Sequence, residues 1–97
     1  MFARVMSGQV HPDQLDHLLE LVRNSSLGDP EQHPGFNGVY GLVDRSSRHG
    51  MLITLWESTG DLEHAEASGV LASVMTQVMR CLNGPAIRET YEVAIEA

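Results

Sequence analysis

Lysine is absent from this sequence of 97 residues, and its six basic side chains are all arginine. Against 13 acidic residues they leave a formal net charge of −7. A nucleic-acid or anionic-membrane surface needs clustered basic residues. Here Arg4, Arg23, Arg45, Arg48, Arg80 and Arg88 are scattered, and only Arg45 and Arg48 stand close together. The balance therefore argues against nucleic acid and membrane as partners. Cysteine is equally scarce. The single Cys81 cannot form an internal disulfide, which fits a reducing, cytoplasmic setting. It falls at an apolar position late in a helical segment, as a buried structural thiol would, rather than as an exposed nucleophile. No apolar run exceeds strand length, so no segment is long enough to cross a bilayer as a helix. The opening "MFARVMSGQV" holds no apolar stretch of signal-peptide length. Also missing are a phosphate loop, a G-x-S-x-G elbow, a C-x-x-C pair, a dinucleotide fingerprint and any His or Cys at zinc spacing. No metal site is expected.

What remains is enough for one small core. Hydrophobic residues make up 42% of the chain, which sets it apart from disordered sequences. Residues 1–97 fit a single domain. "FARVMSGQV" (2–10) alternates as a strand. "HPDQLDHLLELVRNSS" (11–26) follows as a helix, with Pro12 at its first position and Asp13 and Asp16 in its first turn. Leu15, Leu18, Leu19 and Val22 form its buried stripe. Asn24, Ser25 and Ser26 weaken that helix, and Gly28 with Pro30 is expected to stop it. "GDPEQHPG" (28–35) is a loop, and its His33, like His11 and His49, is expected in solvent.

"FNGVYGLVD" (36–44) is strand-like, with Gly38 and Gly41 permitting a bulge. "RSSRHG" (45–50) is a hairpin turn, and "MLITLWES" (51–58) is a third strand. Met51, Ile53, Leu55 and Glu57 share one of its faces; Leu52, Thr54, Trp56 and Ser58 share the other. Both faces demand burial, so this strand is expected at the centre of a sheet. Residues 59–84 are helical, capped by Ser58 with Asp61 or by Thr59 with Leu62. Val70, Leu71, Val74, Val78 and Leu82 form a stripe there, with Met75 and Met79 beside it. Gly69 is a candidate break. Asn83, Gly84 and Pro85 end the helical region. "AIRETYEVAIEA" (86–97) alternates as a half-buried final strand.

The order βαββαβ predicts an α+β, ferredoxin-like fold: a four-stranded antiparallel sheet with both helices on one face. The other face is left bare. A second copy packed sheet to sheet would cover it, so a homodimer is expected.

"HPGFNGVYGLVDRSSRHGMLITLWESTGDLEHAEAS" (33–68) resembles the antibiotic biosynthesis monooxygenase family, through "PGF", "LVDR", "LITLWES" and "DLEHAEAS". The resemblance implies a dimeric α/β barrel in which each subunit keeps a pocket between its own sheet and helices. It places Trp56 in the pocket wall as a flat surface for a planar aromatic ligand. Leu52 and Thr54, on the same strand face, become candidate substrate contacts. Quinone-forming members of that family have an asparagine where this chain has Leu52, and an arginine late in the chain, for which Arg88 and Arg80 are candidates. Members that degrade heme combine a first-strand asparagine, the strand tryptophan and a helix histidine. Here Trp56 and His64 match, and the first strand has no asparagine.

The implied activity is oxidation of a planar phenolic polycyclic compound by molecular oxygen, with no cofactor. Trp56, His64 and Tyr40 are the candidate catalytic residues, the last two for proton transfer. Leu52, Thr54, Met75, Arg88 and Tyr91 are the candidate substrate contacts. Two alternatives stay open: a heme-binding or heme-degrading protein with His64 as the iron ligand, and a non-catalytic dimeric domain that binds a small molecule. Arg4, odd on a strand facing the interior, is expected to pair with Glu89 or Glu92.

Overall fold

The computed structural model describes the chain except for Ser26, Gly28 and Pro30 and the side chain of Val70. The expected helix stop at Gly28 and Pro30, and the places of Ser26 and Val70 in their helices' patterns, lie outside the described residues.

The elements run β1 (Phe2–Gln9), α1 (Leu15–Arg23), β2 (Phe36–Asp44), β3 (His49–Trp56), α2 (Thr59–Ala67), α3 (Gly69–Arg80) and β4 (Ile87–Glu92). The four strands form one antiparallel sheet in the order β2-β3-β1-β4. This is the expected ferredoxin-like arrangement, with β1 and β3 in the middle. Register fixes the faces. Leu52, Thr54 and Trp56 stand opposite Met6, Arg4 and Phe2, and Arg88 stands opposite Met6 across the other ladder. These residues face the helices. Ala3, Val5, Met51, Ile53, Leu55, Tyr40, Leu42, Ile87 and Tyr91 share the opposite face by the same alternation.

Several boundaries differ from expectation. Strand β3 runs from His49 to Trp56, two residues earlier at each end than the expected 51–58. Helix α1 begins at Leu15, not at Pro12, and its N-cap residue Gln14 makes no side-chain cap bond. The second helical region is two helices, separated at Ser68, whose backbone is extended at φ −72° and ψ 131°. The last strand stops at Glu92 and, as an edge strand of the sheet, is exposed along its whole length. Helix α2 starts as its residues dictate. The Ser58 hydroxyl accepts from the Asp61 backbone N–H and donates to the Asp61 carboxylate. In the β2–β3 turn, Asp44 Oδ1 accepts from the Ser46 hydroxyl at 2.7 Å and from the Ser46 N–H at 3.0 Å. These bonds, the Ser46 hydroxyl foremost, hold the exposed Asp44 carboxyl below its ordinary range.

The main core lies under α2 and α3, where Leu27, Trp56, Leu62, Ala65 and Leu71 are buried together. Entry to β2 is set by His33-Pro34-Gly35-Phe36. The Phe36 N–H donates to the His33 carbonyl at 3.2 Å, and Gly35 has φ +82°. Proline at the second position and a positive-φ glycine at the third make a type II turn. A β-carbon on Gly35 would lie 2.3 Å from the Asp61 carboxyl carbon. Gly38, at φ +147°, sits in the bulge where the β2–β3 register shifts, with open space around it.

The two glycines should therefore respond differently to alanine. Gly38→Ala should lose about 1–3 kcal/mol from backbone strain alone. Gly35→Ala should lose about 1–3 kcal/mol more, because Asp61 must also move and disturb the α2 cap. Urea denaturation of both variants checks this, and equal losses would refute the steric role of Asp61.

Candidate functional site

Trp56 ends β3 directly beneath α2 and is 0% exposed. Its indole N–H donates to the Thr54 hydroxyl at 2.9 Å, so the one polar atom of the ring is satisfied two residues back on the same strand face. Phe36 meets the ring edge-on at 5.3 Å, and His33 does so at 6.5 Å. The expected open stacking surface is therefore not present in this structure; the ring is wall and core at once.

Beside it, between sheet and helices, is a cavity of about 230 Å³. The sheet contributes Arg4, Met6, Leu52, Thr54, Trp56 and Arg88; α2 contributes Leu62 and Glu66; α3 contributes Leu71, Met75 and Met79 among others. A second cavity, of about 310 Å³, lies beneath α1 and is lined by Leu18, Leu19, Val22, Val39 and Val43 among others. Met6 and Leu52 belong to both walls. They stand between the two spaces, and neither space alone far exceeds the lower end of the usual ligand-site range of about 300–1,000 Å³.

Five residues singled out from sequence thus come together on one cavity: Trp56, Leu52, Thr54, Met75 and Arg88. Three do not. Tyr40 is 60% exposed on the outer face of the sheet. Tyr91 lies on that face too, where it donates to the Glu89 carboxylate; this bond, the larger cause, pushes its phenol above the ordinary value. In one unbroken helix His64, seven residues before Leu71, would share the buried stripe. The break at Ser68 removes that phase relation. Leu62 and Ala65 are the buried residues of α2, and His64 points to solvent. Arg80 ends α3 in the exposed class and does not line the cavity.

Two features were misplaced or missed. Arg4 pairs with neither Glu89 nor Glu92 but with Glu66 of α2, through its Nη2 and the Glu66 Oε1. Glu89 cannot reach it, because it lies on the other face of the sheet. His33, expected in solvent, is 1% exposed and packs edge-on against Trp56. The Pro-Gly pair that follows it is the signal: a type II turn folds the residue ahead of it inward. Cys81 is buried as expected, and burial pushes its thiol up, away from nucleophilic use. Among the described residues no histidine lines the cavity beside Trp56, so that lining does not fit a heme held through an imidazole. Among the described residues, no group of three or more His, Cys, Asp and Glu could hold a metal ion. None of the described helices is long and apolar enough to cross a membrane.

No protein-family model and no curated protein matches the chain. Solved structures do. A monooxygenase from the gene ActVA-Orf6 of Streptomyces coelicolor, in complex with nanaomycin D, is 20% identical over 99% of this chain and 91% of its own, with a TM-score of 0.81. SnoaB, a cofactor-independent oxygenase from Streptomyces nogalater, is 15% identical over 98% and 94%, with a TM-score of 0.75. Rv0793 from Mycobacterium tuberculosis is 18% identical over 99% and 97%, with a TM-score of 0.76. These likenesses span essentially the whole of each chain and show a shared fold.

The Trp56–Thr54 bond gives a direct test of the cavity wall. Thr54→Val keeps the shape and leaves the indole N–H without its partner, which should cost about 1–3 kcal/mol in urea unfolding. The same change made in a Trp56→Phe background should cost well under half of that. Equal costs in both backgrounds would show that the bond contributes nothing.

Proposed function

We propose that this protein oxidises a planar, phenolic polycyclic compound with molecular oxygen, without a cofactor, and works as a homodimer. The observation that carries the reading is the cavity itself: apolar walls from Met6, Leu52, Leu71 and Met75, next to Trp56, with two arginines at one side. The shared fold supports it, since solved structures of that fold include an oxygenase described as cofactor-independent and another described in complex with nanaomycin D.

In the proposed reaction the substrate supplies every electron. A ring methylene, as in an anthrone, loses two hydrogens and gains one oxygen atom. The second oxygen atom leaves as water, so dioxygen takes up four electrons. The protein's part is to ionise the substrate and shelter it. Arg4 and Arg88 place positive charge beside the bound ring, which lowers the pKa of its phenol or enol and stabilises the anion that passes an electron to oxygen. The apolar walls exclude water from the radical pair. Since His64, Tyr40 and Tyr91 do not line the cavity, the proton leaves to solvent at the mouth.

The bare outer face supports the dimer. Tyr40, Leu42, Ile87 and Tyr91 are each at least half exposed there, beside Met51, Ile53 and Leu55. A contiguous apolar patch of this kind marks an interaction surface. The cavity lies on the other side of the sheet, so a partner copy leaves it accessible.

Anthrone added to the protein in air should yield anthraquinone faster than in buffer, with one O2 consumed per quinone formed. Arg88→Gln should lower kcat/KM by about 10–100-fold. Saturable binding of anthrone with no turnover above buffer would assign the cavity to a non-catalytic binding domain. Light scattering at micromolar concentration should give twice the chain mass of 10.6 kDa, and Leu42→Glu should reduce it towards the single-chain value. A wild-type mass of one chain would overturn the dimer.

A further inference from the structure

One side of the cavity is charged. Arg4 and Arg88 are diagonal neighbours across the β1–β4 ladder on its helix-facing side, since Arg4 pairs with Thr90 and Met6 with Arg88. Like charges so placed repel. Glu66 reaches down from α2 between them. Its Oε1 accepts from Arg4 Nη2, and its Oε2 lies 4.0 Å from Arg88 Nη1, an ionic contact too long for a hydrogen bond. One carboxylate serves two guanidinium groups, so the cluster carries a surplus positive charge. The donors are also under-used. Arg4 Nε is buried with no hydrogen-bond partner among the described residues, an arrangement that costs free energy unless something fills it. The Arg88 side chain is 59% exposed and has only the long contact to Glu66.

We propose that this corner is a carboxylate-binding subsite and that the cavity's ligand is a planar aromatic acid. The inference rests on the reading that the cavity receives a planar aromatic compound. A guanidinium fork takes a carboxylate through two parallel N–H···O bonds. A ligand carboxylate can engage Arg4 through both Nε and Nη2, whereas Glu66 engages Nη2 alone. Its outer oxygen can then face Arg88. An ionised phenol offers a single oxygen and satisfies fewer of these donors. Glu66 is the resident stand-in: it neutralises Arg4 until the ligand's carboxylate takes its place. The ring then lies inward, against Met6, Leu52 and Thr54.

The test compares anthracene-2-carboxylate with neutral 2-(hydroxymethyl)anthracene by equilibrium dialysis against wild type, Arg4→Gln, Arg88→Gln and Glu66→Gln, each checked for folding by circular dichroism. In wild type the acid should bind about tenfold tighter or better. That advantage should shrink as salt rises. Each Arg→Gln change should weaken the acid far more than the alcohol and so abolish the preference. Glu66→Gln should tighten the acid several-fold and leave the alcohol unchanged, because it removes the internal competitor. Equal binding of the two compounds overturns the subsite and leaves the cavity reading standing; binding of neither overturns both. A weaker acid affinity in Glu66→Gln would mean that Glu66 only positions Arg4, and would overturn the exchange. Should Arg4→Gln fail to fold, Arg88→Gln, with its solvent-facing head, decides the preference.

Discussion

The burial of Trp56 is the constraint on which most of this structure depends. Removing a side chain of 150–250 Å² from water contributes about 4–6 kcal/mol at the usual apolar coefficient, an upper estimate. A domain of this size is stable by only about 5–15 kcal/mol in total. An unpartnered indole N–H would take back about 1–3 kcal/mol of that gain, and Thr54 supplies the partner without leaving the strand. The neighbours then follow. The His33–Phe36 turn folds a histidine and a phenylalanine against the ring. Gly35 must be glycine so that Asp61 can cap α2 close by. Helix α2 in turn lays Leu62 and Ala65 over the same ring. Turn, cap and helix therefore hang on one residue at the end of β3.

Periodic segments were legible in the sequence because each buries one face. Strand β2 occupies the residues expected of it, 36–44, and β3 shows the alternation that sends Trp56 and Thr54 inward. The capping pair Ser58 and Asp61 needs only its spacing to be recognised. Segments without a period were not legible in the same way. Leu27 and His33 lie in a stretch with no repeating apolar pattern, yet both are almost completely buried. His64 illustrates a different failure. A stripe carried from Leu71 back through seven residues assumes one unbroken helix, and a single extended residue, Ser68, cancels it. The Arg4 partner was misjudged for a third reason: sequence gives cross-strand neighbours directly, but Glu66 comes from a helix laid over the sheet.

The same layout shapes the chemistry available. A chain of net charge −7 repels anionic compounds at long range. Within the cavity the sign is reversed, because two of its six arginines stand against one carboxylate. A local field of this kind, beside apolar walls, acts at short range where the dielectric is low. It favours a compound that is apolar over most of its surface and anionic at one end. Neither arginine is needed for the fold in the way that Trp56 is, since an ion pair with both partners part-exposed contributes about 0–1 kcal/mol. Two guanidinium groups kept where they repel each other and add little stability are better explained by a ligand than by packing.

Leu52 and Met6 set the limit on what that ligand can be. Among the described residues they alone belong to the walls of both cavities. Methionine adapts its shape at low cost, and leucine has few rotamers to exchange. A ligand anchored at Arg4 that outgrows the smaller space meets Leu52 and Met6, beyond which lies the space beneath α1, lined mainly by apolar residues such as Leu18, Leu19 and Val22, with Ser7 and Arg23 as its polar members. On the proposed reading, size selection rests with this divider and charge selection with the two arginines. Because the divider and the charged corner are formed by different residues, the length and the charge of the proposed ligand can be tested separately, without disturbing the tryptophan that holds the fold together.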